Sequence, residues 1–460
     1  MPILAAFMVP HPPIVVPEIG RGEEKKIVST ASALDRVGER IAILKPELII
    51  VSSPHMDGYG DYFQINFLPF EEGDLSAFGA PEVAFRLPSD QEFVRALNEE
   101  ARRTGFPSGS DGRPSPLDHG AMVPLYFIDR HYRDYRLVRV ALSGLSMVEH
   151  YEMGQLIQKT VDRLGRKAVY LASGDLSHCQ KEKGPYGFKP EGPQYDERIM
   201  AAMGAGDFDE LFDFDPLFLE KAEMCGHDSF IMMAGVLDGL KLKTSALSHE
   251  ATFGVGYGVC QYLVEGKDGS RRFLEQYLLK EKKAIEEKTL RSDPYVRLAH
   301  RSLEGYLSSG SLIKAPAETP KELFTARAGV FVSLHEFGRL RGCIGTIEPA
   351  KANLAEEIIA NAVEAAVGDP RFEAVKAAEL PFLTISVDVL GQAEPILSKR
   401  DLDPQVYGVI VQKGSRRGLL LPQIEGVETV DQQITIAKQK AGISPQDEVK
   451  LSRFKVVRHQ

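Results

Sequence analysis

The stretch Leu48-Ile49-Ile50-Val51-Ser52-Ser53-Pro54-His55-Met56-Asp57 decides the fold of the first half of the chain. Four apolar residues in succession describe a strand buried on both faces, the pattern of a parallel sheet covered by helices. Proline cannot continue a central strand, so Ser-Ser-Pro ends it. His55 therefore stands just past a strand end, where open α/β sheets collect their ligands. Working outward, the same arrangement recurs. Residues 3–9 read as a strand running into His11-Pro-Pro, and Lys167–Ser173 as one running into Gly174-Asp175-Leu176-Ser177-His178. A loop rich in Gly, Ser, Pro and Asp closes on Leu117-Asp118-His119-Gly120, ahead of the apolar run Ala121–Ile128. Arg136–Ser143 is a further strand, and 242–264 return as strands. Helical patterns cover 23–43, part of 82–104 (with Ser89-Asp90 as N-cap region), 149–164, 195–212 and 216–240. Strand and helix alternate, so the first half is expected to be an α/β sandwich.

Composition bounds the rest. A chain of 460 residues has room for two or three domains with proper cores. Its 43% hydrophobic and 26% charged residues are ordinary for a soluble globular protein. A net charge of −10 argues against a general nucleic-acid-binding surface. The cysteines Cys179, Cys225, Cys260 and Cys343 are few and far apart, which argues against a disulfide framework and suits a reducing cytosol. The apolar N-terminus is short and no Lys or Arg precedes it, so it makes a poor signal peptide. No apolar run approaches the roughly 18 residues of a membrane span. A cytoplasmic protein is expected.

At Gly266 the composition shifts. Lys267–Arg291 is charge-dense with apolar residues at helical spacing, the mark of a linker helix. Beyond it a smaller α+β pattern begins. Tyr295–Leu307, Leu354–Val367 and Val430–Ala441 read as helices. Gly329–His335, Leu340–Ile347, Leu383–Leu390, Val409–Gln412 and Gly418–Leu421 read as strands. The expected boundaries are 1–265 and 292–460, with 266–291 between them.

The histidines at successive strand ends point to one shared metal. His11-Pro-Pro, Ser-Pro-His55, Asp-His119-Gly and Gly-Asp-Leu-Ser-His178, in that order, resemble the class III (LigB-type) extradiol ring-cleavage dioxygenases and the related Memo family. The resemblance covers about residues 1–264. It implies that His11 and His55 bind non-haem Fe(II) with a carboxylate as third ligand, leaving positions open for substrate and dioxygen. It implies that His178 moves a proton as acid/base and that His119 hydrogen-bonds substrate or oxygen, tasks that an imidazole performs near neutral pH. The third ligand is open between Glu223 and Cys225. Two residues apart on one helix they point about 200° apart and do not share an ion. Cys225-Gly226 resembles the Memo placement, in which a cysteine replaces the carboxylate, and Asp175 with His178 resembles a Memo-type Asp-x-x-His beside the metal. A donor set of two histidines and a cysteine accepts Cu or Zn as well as Fe. The other histidines of this half, His131, His150 and His249, read as surface or loop residues. His227 reads as helix-start polarity, and Cys179 and Cys260 as buried filler.

In the second half, Leu340-Arg341-Gly342-Cys343-Ile344-Gly345 resembles the signature of the AMMECR family, over about 290–458. Cys343 beside Arg341 is either a thiolate of lowered pKa or a buried strand cysteine. The fusion resembles the AmmeMemoRadiSam arrangement, which implies a separate radical-SAM protein as partner, since this chain lacks the closely spaced three-cysteine motif of such enzymes. A small aromatic or related molecule is the implied substrate. A homo-oligomer is compatible with all of this.

Overall fold

The computed structural model describes residues 2–424 and 426–460. It divides into two compact units, Met1–Leu278 and Leu279–Gln460. The first is built on six strands: β1 (Ile3–Val9), β2 (Leu48–Ser53), β3 (Arg136–Ala141), β4 (Ala168–Ser173), β5 (Leu240–Glu250) and β6 (Tyr257–Lys267). Their order in the sheet is β3-β2-β4-β1-β6-β5. The first four run parallel, while β6 is antiparallel to β1 and β5 to β6. Every residue of β2 and β4 is buried, as a strand covered on both faces requires.

Seven helices position the site: α1 (Val28–Leu44), α2 (Gln91–Thr104), α3 (His119–Asp129), α4 (Met147–Leu164), α5 (Glu191–Ala205), α6 (Pro216–Ala222) and α7 (His227–Val236). α1 and α3 pack together and close a core with Phe7, Val9, Val51, Val169 and Leu171. The opposite face receives α7, whose Ser229 hydroxyl meets Ser52 of β2 at 2.5 Å. α4 lies on α7 at very close range. A Cβ at Gly154 would come 2.0 Å from the Met232 carbonyl oxygen, and one at Gly235 would come 2.0 Å from that of Tyr151. Glycine at both positions is what lets the two backbones touch.

Two features depart from the sequence reading. The expected helix over 216–240 is two helices: α6 stops at Ala222, Glu223 takes a left-handed φ of 47°, and α7 begins at His227. A Cβ on Gly174 would lie 2.2 Å from Gly226 Cα, so the break is held against the loop after β4 by glycine-to-glycine contact. In addition, Phe70–Leu75 and Ala80–Pro88 form an antiparallel hairpin that the sequence reading passed over. Its signal is the period-two burial of Val83, Phe85 and Leu87.

Among the described residues the second unit has eight strands: β7 (Val330–Glu336), β8 (Arg339–Gly345), β9 (Leu383–Leu390), β10 (Glu394–Ile396), β11 (Gly408–Lys413), β12 (Arg416–Leu420), β13 (Lys450–Phe454) and β14 (Val456–His459). They form two antiparallel four-stranded sheets, β8-β7-β9-β14 and β10-β13-β11-β12. A helix, α8 (Phe273–Arg291), leads into this unit. α9 (Pro294–Ser309) and α10 (Leu354–Val367) cover one face of the first sheet through Leu298, Leu303, Ile358 and Ala362. α11 (Val430–Lys440) packs on β11 and β12 of the second. Among the described residues no helix is long and apolar enough to cross a membrane.

Candidate metal centre

Three side chains from distant parts of the first unit meet beyond the C-terminal ends of β1 and β2. The Nε2 atoms of His11 and His55 are 3.0 Å apart, and Cys225 Sγ is 3.7 Å from His11 Nε2. One donor atom from each lies within 4.8 Å of the other two. Donors held about 2.0–2.3 Å from one ion stand about 3–4 Å from each other, so the spacing is that of a shared ligand sphere. His11 is buried, Cys225 half-buried and His55 exposed.

The hydrogen bonds fix which atom of His11 faces this point. Ser173 Oγ donates to the Gly120 carbonyl at 2.5 Å, so toward His11 Nδ1, 2.9 Å away, it accepts. Nδ1 therefore carries the proton and Nε2 presents its lone pair to His55 and Cys225. Burial, reinforced by the charges of His55, His119 and His178, holds the His11 pKa well below the ordinary histidine value. Burial also lowers His55, against the pull of Asp118. Both rings are thus neutral near pH 7, the form that binds metal. Burial and Asp175 push the Cys225 thiol up, and the Asp175 N–H donates to its sulfur at 3.2 Å. A cation here would supply the charge that the thiolate lacks.

The remaining candidates fall into place around this trio. The His119 ring stands 4.0 Å from that of His55 and 5.5 Å from that of His11, centroid to centroid. Burial and then His55 push its pKa down to about 4. His178 lies close enough for its charge to be felt at His11, and its own pKa is lowered, first by burial. Its ring packs on Tyr186. Asp175 accepts from the His11 backbone N–H at 2.8 Å, and burial pushes its carboxyl up to about 7. Glu223 stands apart. Its carboxylate is ion-paired with Lys189, and it does not join the three-donor group. The left-handed turn at Glu223 lies in the break between α6 and α7, and of the two candidates left open for the third donor it is Cys225 that meets His11 and His55.

Sequence reasoning missed the residues behind this layer. Arg139 is fully buried in β3 and binds Glu71 at 2.8 Å, Asp118 at 2.9 Å and the Ser115 carbonyl at 2.7 Å. Asp118 also accepts from Ser53 Oγ at 2.5 Å and from the Ala121 N–H, capping α3 and so placing His119. An arginine inside the apolar run Leu137–Ala141 was the available signal. Nothing marks Ser173 in the sequence. His150, read as a surface or loop residue, is instead fully buried in α4, bound to the Ser146 carbonyl through Nδ1 and to the Ser143 N–H through Nε2.

Residues 5–260 match the model of the catalytic LigB subunit of aromatic ring-opening dioxygenase. The chain belongs to the LigB family. Behind its LigB domain it carries an AMMECR1 domain, matched over residues 296–459. Protein CA_C1420 of Clostridium acetobutylicum is 41% identical and has the same extent, with 99% of this chain aligned to 98% of that one. A Thermotoga maritima protein, 52% identical over 169 residues, aligns 97% of its length with 36% of this chain. The crystal structure of protein PH0010 from Pyrococcus horikoshii is 36% identical over 36% of this chain and 88% of its own, with a TM-score of 0.34. LigB-family dioxygenases are metal-dependent. In this LigB domain the converging lone pair, neutral imidazoles and thiol fit a metal, with sulfur in place of the carboxylate of a facial triad.

Proposed function

We propose that the LigB domain is a metal-dependent oxidoreductase of the extradiol type, acting on a small aromatic or related substrate. His11, His55 and Cys225 would hold the metal, with Fe(II) in first place and Cu or Zn as the alternatives that a thiolate donor admits. The observation that carries this reading is the convergence of those three donors at the strand ends. When bound, such a metal supplies the redox partner through which dioxygen reacts with a singlet organic molecule. The chain's own residues do the rest. His178, neutral because burial lowers its pKa, would take a proton from a substrate hydroxyl on an imidazole nitrogen and return it later. His119, ring to ring with His55, would donate a hydrogen bond to the substrate's oxygen. Phe78 packs edge-on against His119 and gives this side of the site an apolar wall. The test is catechol-dependent oxygen uptake by Fe(II)-loaded protein. Uptake lost in His178→Ala with metal retained supports the proposal, and no uptake with any catechol defeats it.

One observation favours a second reading. The soft sulfur donor suits a metal-holding or redox module, Memo-like and working with a radical-SAM protein, better than it suits ring cleavage. Tight Cu or Zn binding without oxygen uptake would select it.

A further inference from the structure

The two sheets of the AMMECR1 domain leave a cleft where they meet. α11 covers one face of the second sheet through Val409, Val411 and Leu420. Strand alternation turns Ile410 and Leu419 to the other face, beside Phe454 of β13. There they pack on Phe331, Leu390 and Ile347, which lie at or just past the ends of β7, β9 and β8. The packing is incomplete, and a cavity of about 550 Å³ remains. Small-molecule sites commonly measure about 300–1,000 Å³.

Two glycines shape its walls. A Cβ on Gly408 would stand 2.2 Å from the Phe454 ring, so glycine there makes room for the ring against β11. A Cβ on Gly329 would stand 2.4 Å from the Ile347 carbonyl oxygen. Glycine thus lets the segment that carries Arg327 lie against the chain leaving β8.

Floor and rim differ in chemistry. Leu390, Ile410 and Phe454 are buried and, with half-buried Ile347, make the floor apolar. The charged residues lining the cleft are Arg327, Arg417 and Glu348. Arg417 pairs with Glu348 at 2.5 Å, but that carboxylate is largely exposed and the bridge is correspondingly weak. Arg327 makes no ion pair among the described residues. Two guanidiniums against one carboxylate leave the rim positive. A guanidinium offers a planar fork of donors that matches a carboxylate. An apolar floor under such a rim selects a molecule that is greasy at one end and anionic at the other.

We propose that this cleft binds a small organic acid, its apolar body seated on Phe454 and Ile410 and its carboxylate at Arg327. The site is separate from the metal centre, because every residue that lines it belongs to the AMMECR1 domain.

Calorimetric titration of the full-length protein with phenylacetate, phenylacetamide and inorganic phosphate tests this. The first two share a body and differ in one charge, while phosphate carries charge without the body. Phenylacetate is expected to bind, the amide to bind roughly fivefold more weakly, the worth of one charge contact in water, and phosphate not to bind. Arg327→Gln alters an exposed side chain and is expected to bring the acid down to the level of the amide, whereas Arg327→Lys keeps the preference. Ala393→Trp places an indole in the cleft from its exposed edge and is expected to remove binding of acid and amide alike, with thermal unfolding as the control that it folds. No binding of phenylacetate, equal binding of the amide or of phosphate, or acid binding that persists unchanged in Arg327→Gln and Ala393→Trp would each overturn the proposal.

Discussion

At the scale of single residues the metal centre depends on atoms whose protonation is fixed by neighbours. Ser173 has one role that its sequence context does not betray. It hands the His11 Nδ1 proton a partner while its own proton is committed to Gly120. Ser173→Ala is expected to weaken metal binding by about 10–100-fold, read by titration with a competing chelator, with the fold unchanged by circular dichroism. Cys225→Ser is expected to lose metal on purification under anaerobic conditions, while Glu223→Gln keeps it, read by elemental analysis. Equal metal in wild type and Cys225→Ser would remove the sulfur from the ligand set. The histidines at 11, 55, 119 and 178 were legible because each follows a strand end or a loop in a fixed local motif. The choice between Glu223 and Cys225 was not, because it turns on a left-handed φ at residue 223 that no side-chain pattern announces.

At the scale of elements, α4 carries two tests. Gly154→Ala puts a methyl group against the α7 backbone and is expected to destabilise the LigB domain by about 1–3 kcal/mol in denaturant unfolding, as overpacking does. Glu152, on the same helix, has its carboxyl pushed up to about 7, first by burial and then by Glu149. The native state thus holds this proton more tightly than the unfolded chain does. Its contribution to stability is complete below the ordinary glutamate range and lost as pH rises through about 7. Glu152→Gln is therefore expected to match the wild type near pH 4 and to exceed it by about 2–3 kcal/mol at pH 8. On β3, Arg139→Ala leaves the Glu71 and Asp118 carboxyls without their partner and is expected to cost about 3–5 kcal/mol. The strands and helices themselves were largely readable. β1, α10 and β9 occupy Ile3–Val9, Leu354–Val367 and Leu383–Leu390, where period and apolar runs placed them. The break between α6 and α7 was not readable, because residues 216–240 are helix-compatible throughout and tertiary contact of Gly226 with Gly174 decides the matter.

At the scale of the whole molecule, each unit closes cores of its own, one around Phe7 and Leu171, others around Leu334 and Val409. Chains ending at Leu278 and beginning at Leu279 are expected to fold separately and to melt cooperatively in calorimetry, with all bound metal following the first. Metal appearing with the second would contradict the assignment of the centre to the LigB domain. The two-part organisation was visible as a change of composition near Gly266, because charge density and helical spacing are local properties. The company that Cys343 keeps was not visible, because Ser333 reaches it through strand pairing and Asp369 and Arg371 through a distant loop.

The uneven exposure of the two imidazoles sets an order of events for any ion in the centre. His11 is sealed in and His55 looks outward. His55 is the most exposed of the three donors, so a bulky chelator should meet that imidazole first and the half-buried sulfur and His11 only afterwards. Stripping is then stepwise, beginning from the donor most open to solvent.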